Sequence, residues 1–424
     1  MYGFKMITLL SLLGLLPACA QFGKGVAEAV LEQEKEDTRA CHIEGPATAG
    51  LAALMDEQER ERQTGPTDRQ LKVLMVHGIG RHIPGYSGRL TERLMPALGL
   101  TIREKAIKEI VLRDPAVTDD RLGVLNISRY TNKTRTRNLL FYELTWSAIT
   151  EQEKRIIEFD DATEHTFRRA SLNALLKKFL NSHLPDSLIF LGEPQLAILS
   201  SVRQSFCWML HGDWDAYPYQ TDGWCDPLDI THVKQLRDDD IAIVTHSLGS
   251  RVTIDTLQYF GDASAGRTDS SLAEGKEVLA DKEIYLYMLA NQLPLLEMGR
   301  KRANVRGQVA AHCTRDGASY GKRIMGKLSI YAFSDPNDIL SYPIPPKFVE
   351  QYIDSRLCPS ATNISINVAQ PISLFGLGEF ADPGEAHSGY DKDERVIALI
   401  AHGIGQPNTA EIVRKRCAWL ETTE

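Results

Sequence analysis

Ser247 stands where an apolar, β-branched run, Ile241-Ala242-Ile243-Val244-Thr245, gives way to a helical pattern. Leu248 to Val252 is a four-residue step, and Ile254, Leu257 and Phe260 follow at three-residue steps. The order is strand, sharp turn, helix, with the serine at the turn. A nucleophilic hydroxyl needs that placement. The turn lifts Oγ clear of the sheet, and the helix aims its first backbone N–H at the oxygen that becomes negative when a carbonyl is attacked. The chemistry this predicts is acyl transfer through serine. A buried serine at an ordinary strand-to-helix junction would look the same over so short a stretch.

The partner element lies upstream. Leu71 to Val76 reads as a strand that runs straight into His77-Gly78-Ile79-Gly80-Arg81-His82. Glycines let the chain turn tightly enough to face a backbone N–H toward a reaction centre. An amide near Ile79, paired with that of Leu248, gives a two-donor oxyanion hole. A phosphate-binding loop is excluded, because no Lys-Ser/Thr follows and G-x-G-x-x-G is absent. His77 is expected to pack and hydrogen-bond beneath the loop, outside the chemistry.

Val76-His77-Gly78-Ile79-Gly80 and Thr245-His246-Ser247-Leu248-Gly249-Ser250 together resemble the α/β-hydrolase superfamily, on its lipase and esterase side. The chain departs from the family's G-x-S-x-G at Thr245, whose Cβ must find room. The resemblance implies an α/β fold, with a mostly parallel central sheet flanked by helices and the order Ser, acid, His. The acid belongs on the loop after the strand Leu328 to Phe333, where Asp335 and Asp338 compete. Asp338 is favoured because it precedes the apolar pair Ile339-Leu340, whereas Asp335-Pro336-Asn337 is ordinary turn chemistry. The base belongs after the alternating strand Ile364 to Val368 and before the closing helix Arg395 to Ala401. His387 fills that place. His402 is its rival, but it follows the helical pattern and precedes Gly403, so a C-terminal cap explains it.

The elements around these residues bound the rest. Residues 1–18 read as a secretory signal, with Lys5 ahead of the short apolar run Met6 to Leu16. Leu16-Pro17-Ala18-Cys19 resembles the lipobox of bacterial lipoproteins, with Pro17 as a departure, and implies that Cys19 carries lipid. Residues 19–69 are then a tether and the compact domain starts near Gln70. The expected location is the cell envelope, anchored to the membrane and facing the periplasm. Ala20, in place of the Asp associated with inner-membrane retention, points to the outer membrane.

Six further cysteines, at 41, 207, 225, 313, 358 and 417, allow three disulfides, with fifteen pairings open. Their spacing fits no zinc site and none sits on an elbow, so neither a metal, a cofactor nor a cysteine nucleophile is expected. The 424 residues are 43% hydrophobic with a formal net charge of −8, and no basic block is interleaved with aromatics. Nucleic acid is therefore excluded as a partner. Between the strand Asn138 to Trp146 and the serine strand, residues from about 148 to 235 are rich in helical patterns and are expected to form a cap. Trp208, Trp214, Tyr217, Tyr219 and Trp224 suggest its aromatic rim.

The function expected is hydrolysis of carboxylic esters, lipid esters included, by Ser247, His387 and Asp338 through an acyl-enzyme. An acyltransferase would use the same residues. A non-catalytic lipoprotein, keeping the fold to bind or scaffold, is the alternative from another class.

Overall fold

The computed structural model describes residues 39–162, 169–225, 233–264, 277–373 and 379–422. The expected signal, the lipobox and Cys19 lie outside these residues. The chain divides into Met1–Arg39 and a compact unit, Ala40–Glu424.

The compact unit is an α/β fold on one twelve-stranded mixed sheet. Its middle consists of parallel strands: β1 (Leu71–Val76), β2 (Asn138–Thr145), β3 (Asp240–His246), β4 (Glu283–Leu289), β5 (Lys327–Ser334) and β6 (Pro359–Ile366), in the order β6-β5-β4-β3-β1-β2. Every residue of β1 and β2 is buried. Strands covered on both faces need such unbroken apolar runs. Beyond β2 the antiparallel strands Thr118–Thr131 and Lys108–Asp114 extend the sheet. The chain leaves β1 outward to β2 and then returns to β3 on the other side of β1. In an open α/β sheet, that reversal leaves a crevice beyond the carboxyl ends of the strands. Ser247 follows β3 at this point, and Gly78 follows β1.

Seven helices matter here: α1 (Leu51–Thr64), α2 (Ala148–Ala162), α3 (Ser171–Phe190), α4 (Gln195–His211), α5 (Gly249–Ser264), α6 (Pro383–Ser388) and α7 (Glu394–His402). Alternate side chains of the sheet feed two cores. Leu74, Val76, Ile241 and Ile243 pack with residues of α4 and α5, including Val202, Phe206 and Val252. Val73, Met75, Ala242 and Val244 pack with Leu51 and Met55 of α1 and with Val396 and Ile400 of α7.

Two expected boundaries change. The tether does not reach residue 69. Cys41–Glu44 pairs with β6 and with Ala418–Leu420, while α1 buries Leu51, Ala52 and Met55. The charges that made this stretch read as solvated form one face only, where Asp56 and Glu59 bind Arg137. On the other face Gln58 is wholly buried and bonds the backbone of Asn138 at both its N–H and its C=O.

The insertion is likewise only partly a cap. Helix α4 is scaffold, since Ile198, Val202, Phe206, Met209 and Leu210 enter the central core. Among the described residues of the insertion, the helices α2 and α3 remain as candidates to cover the site. The aromatic loop is mixed: Tyr217 is buried against Tyr142, whereas Tyr219 and Trp224 are exposed. Among the described residues, no helix is long and apolar enough to cross a membrane.

All six cysteines of the compact unit pair, as Cys41–Cys417, Cys207–Cys225 and Cys313–Cys358. The first joins positions 376 residues apart and links the strand Cys41–Glu44 to the residue preceding its edge neighbour, Ala418–Leu420. Such a link restricts the unfolded chain most. Replacing both Cys41 and Cys417 with Ser is expected to cost about 2–5 kcal/mol of stability, measured by urea unfolding.

Candidate active site

Ser247 occupies the turn between β3 and α5 with φ of +56°, a left-handed conformation that is costly for a side chain bearing Cβ. Its surroundings over-determine that geometry. The Ser247 N–H donates to Leu289 O on the neighbouring strand at 2.8 Å. A Cβ on Gly249 would lie 2.6 Å from Val76 O, and one on Gly78 would lie 2.4 Å from His246 O and 2.5 Å from Ser247 Cβ. Glycine is required at both places, because the elbow and the His-Gly-Ile-Gly loop touch backbone to backbone. Thr245, the departure from the motif, is wholly buried and its hydroxyl turns to Tyr287 O at 3.4 Å.

Three side chains from separate parts of the chain meet in line. The Ser247 hydroxyl lies 3.0 Å from His387 Nε2, and His387 Nδ1 lies 2.8 Å from Asp338 Oδ2. The tautomer that satisfies both bonds carries its proton on Nδ1 and leaves Nε2 to accept from serine. His387 sits on α6, a six-residue helix that Asp382 caps by accepting the Glu385 N–H. Asp338 also accepts the Leu340 N–H at 2.9 Å. Asp335 does not reach the imidazole. One of its oxygens takes the N–H groups of Val368 and Ala369, the other that of Asn337, so it staples the acid loop to the chain leaving β6. His402 ends α7, where Gly403 at φ +65° donates its N–H to Leu399 O as a cap.

The electrostatics agree with a charged acid and neutral neighbouring imidazoles. Burial alone would raise the Asp338 carboxyl. The hydrogen bond and charge of His387, with the Leu340 N–H and the Ser341 hydroxyl, outweigh it and hold the group below its ordinary value. His246, beside the nucleophile position, is pushed down to about 3 by burial and by His387. It donates from Nε2 to the His387 carbonyl at 2.8 Å, so β3 grips the backbone that carries the imidazole. His77 is held well below its usual range, by burial first and then by His82. It is stacked between His82 and Trp146, accepts the Trp146 N–H at Nε2 and donates from Nδ1 to Gly78 O at 2.8 Å.

A group depressed on folding stabilises the native state above its unfolded value and loses that contribution as pH falls. For Asp338 the window runs downward from about 3.9, the unfolded value. The thermal midpoint is therefore expected to drop below that pH, and to drop less steeply in Asp338→Asn.

The glycine loop that carries Ile79 packs directly against the elbow that carries Leu248. The Gly78 Cα is seated against the Leu248 amide, whose nitrogen is 2.8 Å from where a Cβ would be. The neighbouring amides of Ser247 and Gly80 are taken by Leu289 O and Asp186. Among the described residues, neither the Ile79 nor the Leu248 N–H has a hydrogen-bond acceptor. An amide without an acceptor beside a serine hydroxyl is the kind of donor an oxyanion would need. Among the described residues, no group of three His, Cys, Asp or Glu could hold a metal ion. The sequence reading did not find the grip of His246, the staple of Asp335 or the bond from Asp186 to Gly80. Each joins residues far apart in the chain, and no local spacing signals it. A scan against protein-family models, a search of curated proteins and a search of solved structures each return no match to this chain.

Proposed function

We propose that this protein is a serine hydrolase of α/β-hydrolase architecture that cleaves carboxylic esters. The observation that carries the reading is the line Asp338–His387–Ser247, set beside the two unpartnered amides of Ile79 and Leu248. The strand order, with Ser247 after β3 and the glycine loop after the adjacent β1, supports the same architecture.

In the proposed reaction His387 Nε2 takes the Ser247 proton as Oγ bonds to the ester carbonyl carbon. The carbonyl oxygen becomes the oxyanion held by the two amides. The intermediate collapses, the C–O bond to the leaving alcohol breaks, and His387 returns the proton to that alcohol. Water, deprotonated by the same imidazole, then attacks the acyl-enzyme, and the acid leaves as Ser247 regains its proton. Asp338 keeps the tautomer and stabilises the imidazolium. With an alcohol in place of water, the same residues perform acyl transfer.

Lipid esters are the substrates best suited to an enzyme anchored by a lipidated Cys19 in the cell envelope. The three disulfides support an oxidising compartment such as the periplasm. One observation favours the reading as a binding module: Ser247 has no exposed surface, so a substrate must displace part of the cover.

The test is hydrolysis of p-nitrophenyl esters, from short to long acyl chains, by the protein and by Ser247→Ala. A loss of about 10⁴-fold or more with the fold intact is expected. Equal, substantial rates would remove Ser247 from the chemistry.

A further inference from the structure

The His-Gly-Ile-Gly loop is held by more than its own glycines. Two peptide planes flank Ile79, and both are pinned. The carbonyl of the plane before it, Gly78 O, accepts from His77 Nδ1 at 2.8 Å. In the plane after it, Ile79 O lies 3.1 Å from His82 Nε2 and the Gly80 N–H donates to Asp186 Oδ2 at 2.5 Å. Asp186 comes from α3, 106 residues away, and its carboxylate has no exposed surface. Lys154 of α2 closes the arrangement, with Nζ 2.6 Å from Asp186 Oδ1 and 3.4 Å from Gly80 O. Gly80 itself has φ of +102°, a state open to glycine at little cost, so the bonds from outside select one direction from the freedom this residue has.

We infer that Asp186 and Lys154 are positioning residues for the oxyanion hole, through which α2 and α3 set the direction of the Ile79 amide. This rests on the serine-hydrolase reading above. An amide is a useful oxyanion donor only if it is aimed before the charge develops. A carboxylate accepting the next N–H fixes the following plane far more firmly than a neutral acceptor. That carboxylate also sets a negative charge one residue from the place where the substrate oxygen becomes negative. Lys154 cancels it. The pair is therefore a unit: the acid aims the loop, and the ammonium removes the electrostatic cost of having an acid there.

This predicts an order of effects that an ordinary structural ion pair does not. In Asp186→Ala the loop loosens, and kcat falls ~10- to 100-fold, short of the ~10²–10³ lost with a whole donor. KM for p-nitrophenyl butyrate stays within about twofold, because binding of the uncharged ester does not use the hole. Lys154→Met leaves the acid uncancelled and lowers kcat further than Asp186→Ala. The double variant returns to the Asp186→Ala level, and Asp186→Asn, which keeps a neutral and weaker acceptor oxygen for Gly80, recovers part of the rate lost in Asp186→Ala.

The experiment measures kcat and KM separately for these four variants of the full chain. It also measures the affinity of a trifluoromethyl ketone that forms a reversible tetrahedral adduct on serine. Amide exchange of the 79–82 segment supplies a readout that needs no turnover. Parallel losses in kcat and adduct affinity, with faster exchange in Asp186→Ala, are expected. Unchanged kcat, or a change in KM alone, in active and folded variants overturns the inference and leaves the hydrolase reading standing. A folded wild type that neither hydrolyses esters nor binds the ketone overturns both.

Discussion

Asp338→Asn is expected to lower kcat on a p-nitrophenyl ester by about 10⁴-fold, while Asp335→Asn acts on stability and leaves the folded protein's kcat within about threefold. The two acids lie three residues apart on one turn and are both buried, yet they face different partners. Asp338 Oδ2 accepts the His387 Nδ1 proton, which leaves Nε2 free to accept from Ser247. An Asn there can present its N–H₂ to Nδ1, which stabilises the opposite tautomer, and Nε2 then points a proton at the serine. The base is lost although its position is kept. Asp335 instead holds the backbone donors of Val368 and Ala369 at 2.7 and 3.0 Å. Leaving a buried donor unsatisfied costs about 1–3 kcal/mol, which urea unfolding would read directly. An activity loss confined to Asp335→Asn would reassign the acid.

The second large effect belongs to a residue with no side chain. Gly78→Ala places a methyl 2.4 Å from His246 O, 2.5 Å from Ser247 Cβ and 2.8 Å from Leu248 N. Two of these neighbours are backbone, so no rotamer change relieves the contact. The loop must back away from the elbow, which costs about 1–3 kcal/mol as overpacking. It also withdraws the Ile79 donor, for a further ~10²–10³ in rate. Gly88→Ala is the control, since a Cβ there meets nothing within 4 Å and the position is helical. The expected pattern is a large loss of kcat and a lowered thermal midpoint for Gly78→Ala, with neither for Gly88→Ala. Full activity in Gly78→Ala would contradict the backbone contact on which the oxyanion hole depends.

What could be read along the chain was whatever had a local period or a fixed order. The strands carrying Ser247 and the glycine loop contain apolar runs, Ile241 to Thr245 and Leu71 to Val76; the second matches the observed strand, and the first strand extends one polar residue further at each end, to Asp240 and His246. The positions of Asp338 and His387 came from the order of motifs, and the choice of Asp338 over Asp335 from two apolar neighbours. The beginning of the compact unit was hidden because α1 shows a solvated charged face while its buried face includes a glutamine, Gln58, that looks equally polar. Helix α4 looked like part of a cap because a helix packed under a sheet and one laid over a site share the same apolar period. The disulfide pairing left fifteen possibilities that only three-dimensional proximity resolves. The bond between Asp186 and Gly80 belongs to the same class, since its meaning arises where a distant helix meets a loop.

The central claim is that Ser247 is a nucleophile activated by His387. The most direct measurement is labelling of the full chain with a fluorophosphonate probe, mapped by peptide mass spectrometry, alongside Ser247→Ala and His387→Ala. The account predicts one adduct per chain, on Ser247, with none in Ser247→Ala and labelling slowed by orders of magnitude in His387→Ala. A well-folded wild type that takes no label, or an adduct that persists in Ser247→Ala, would contradict it.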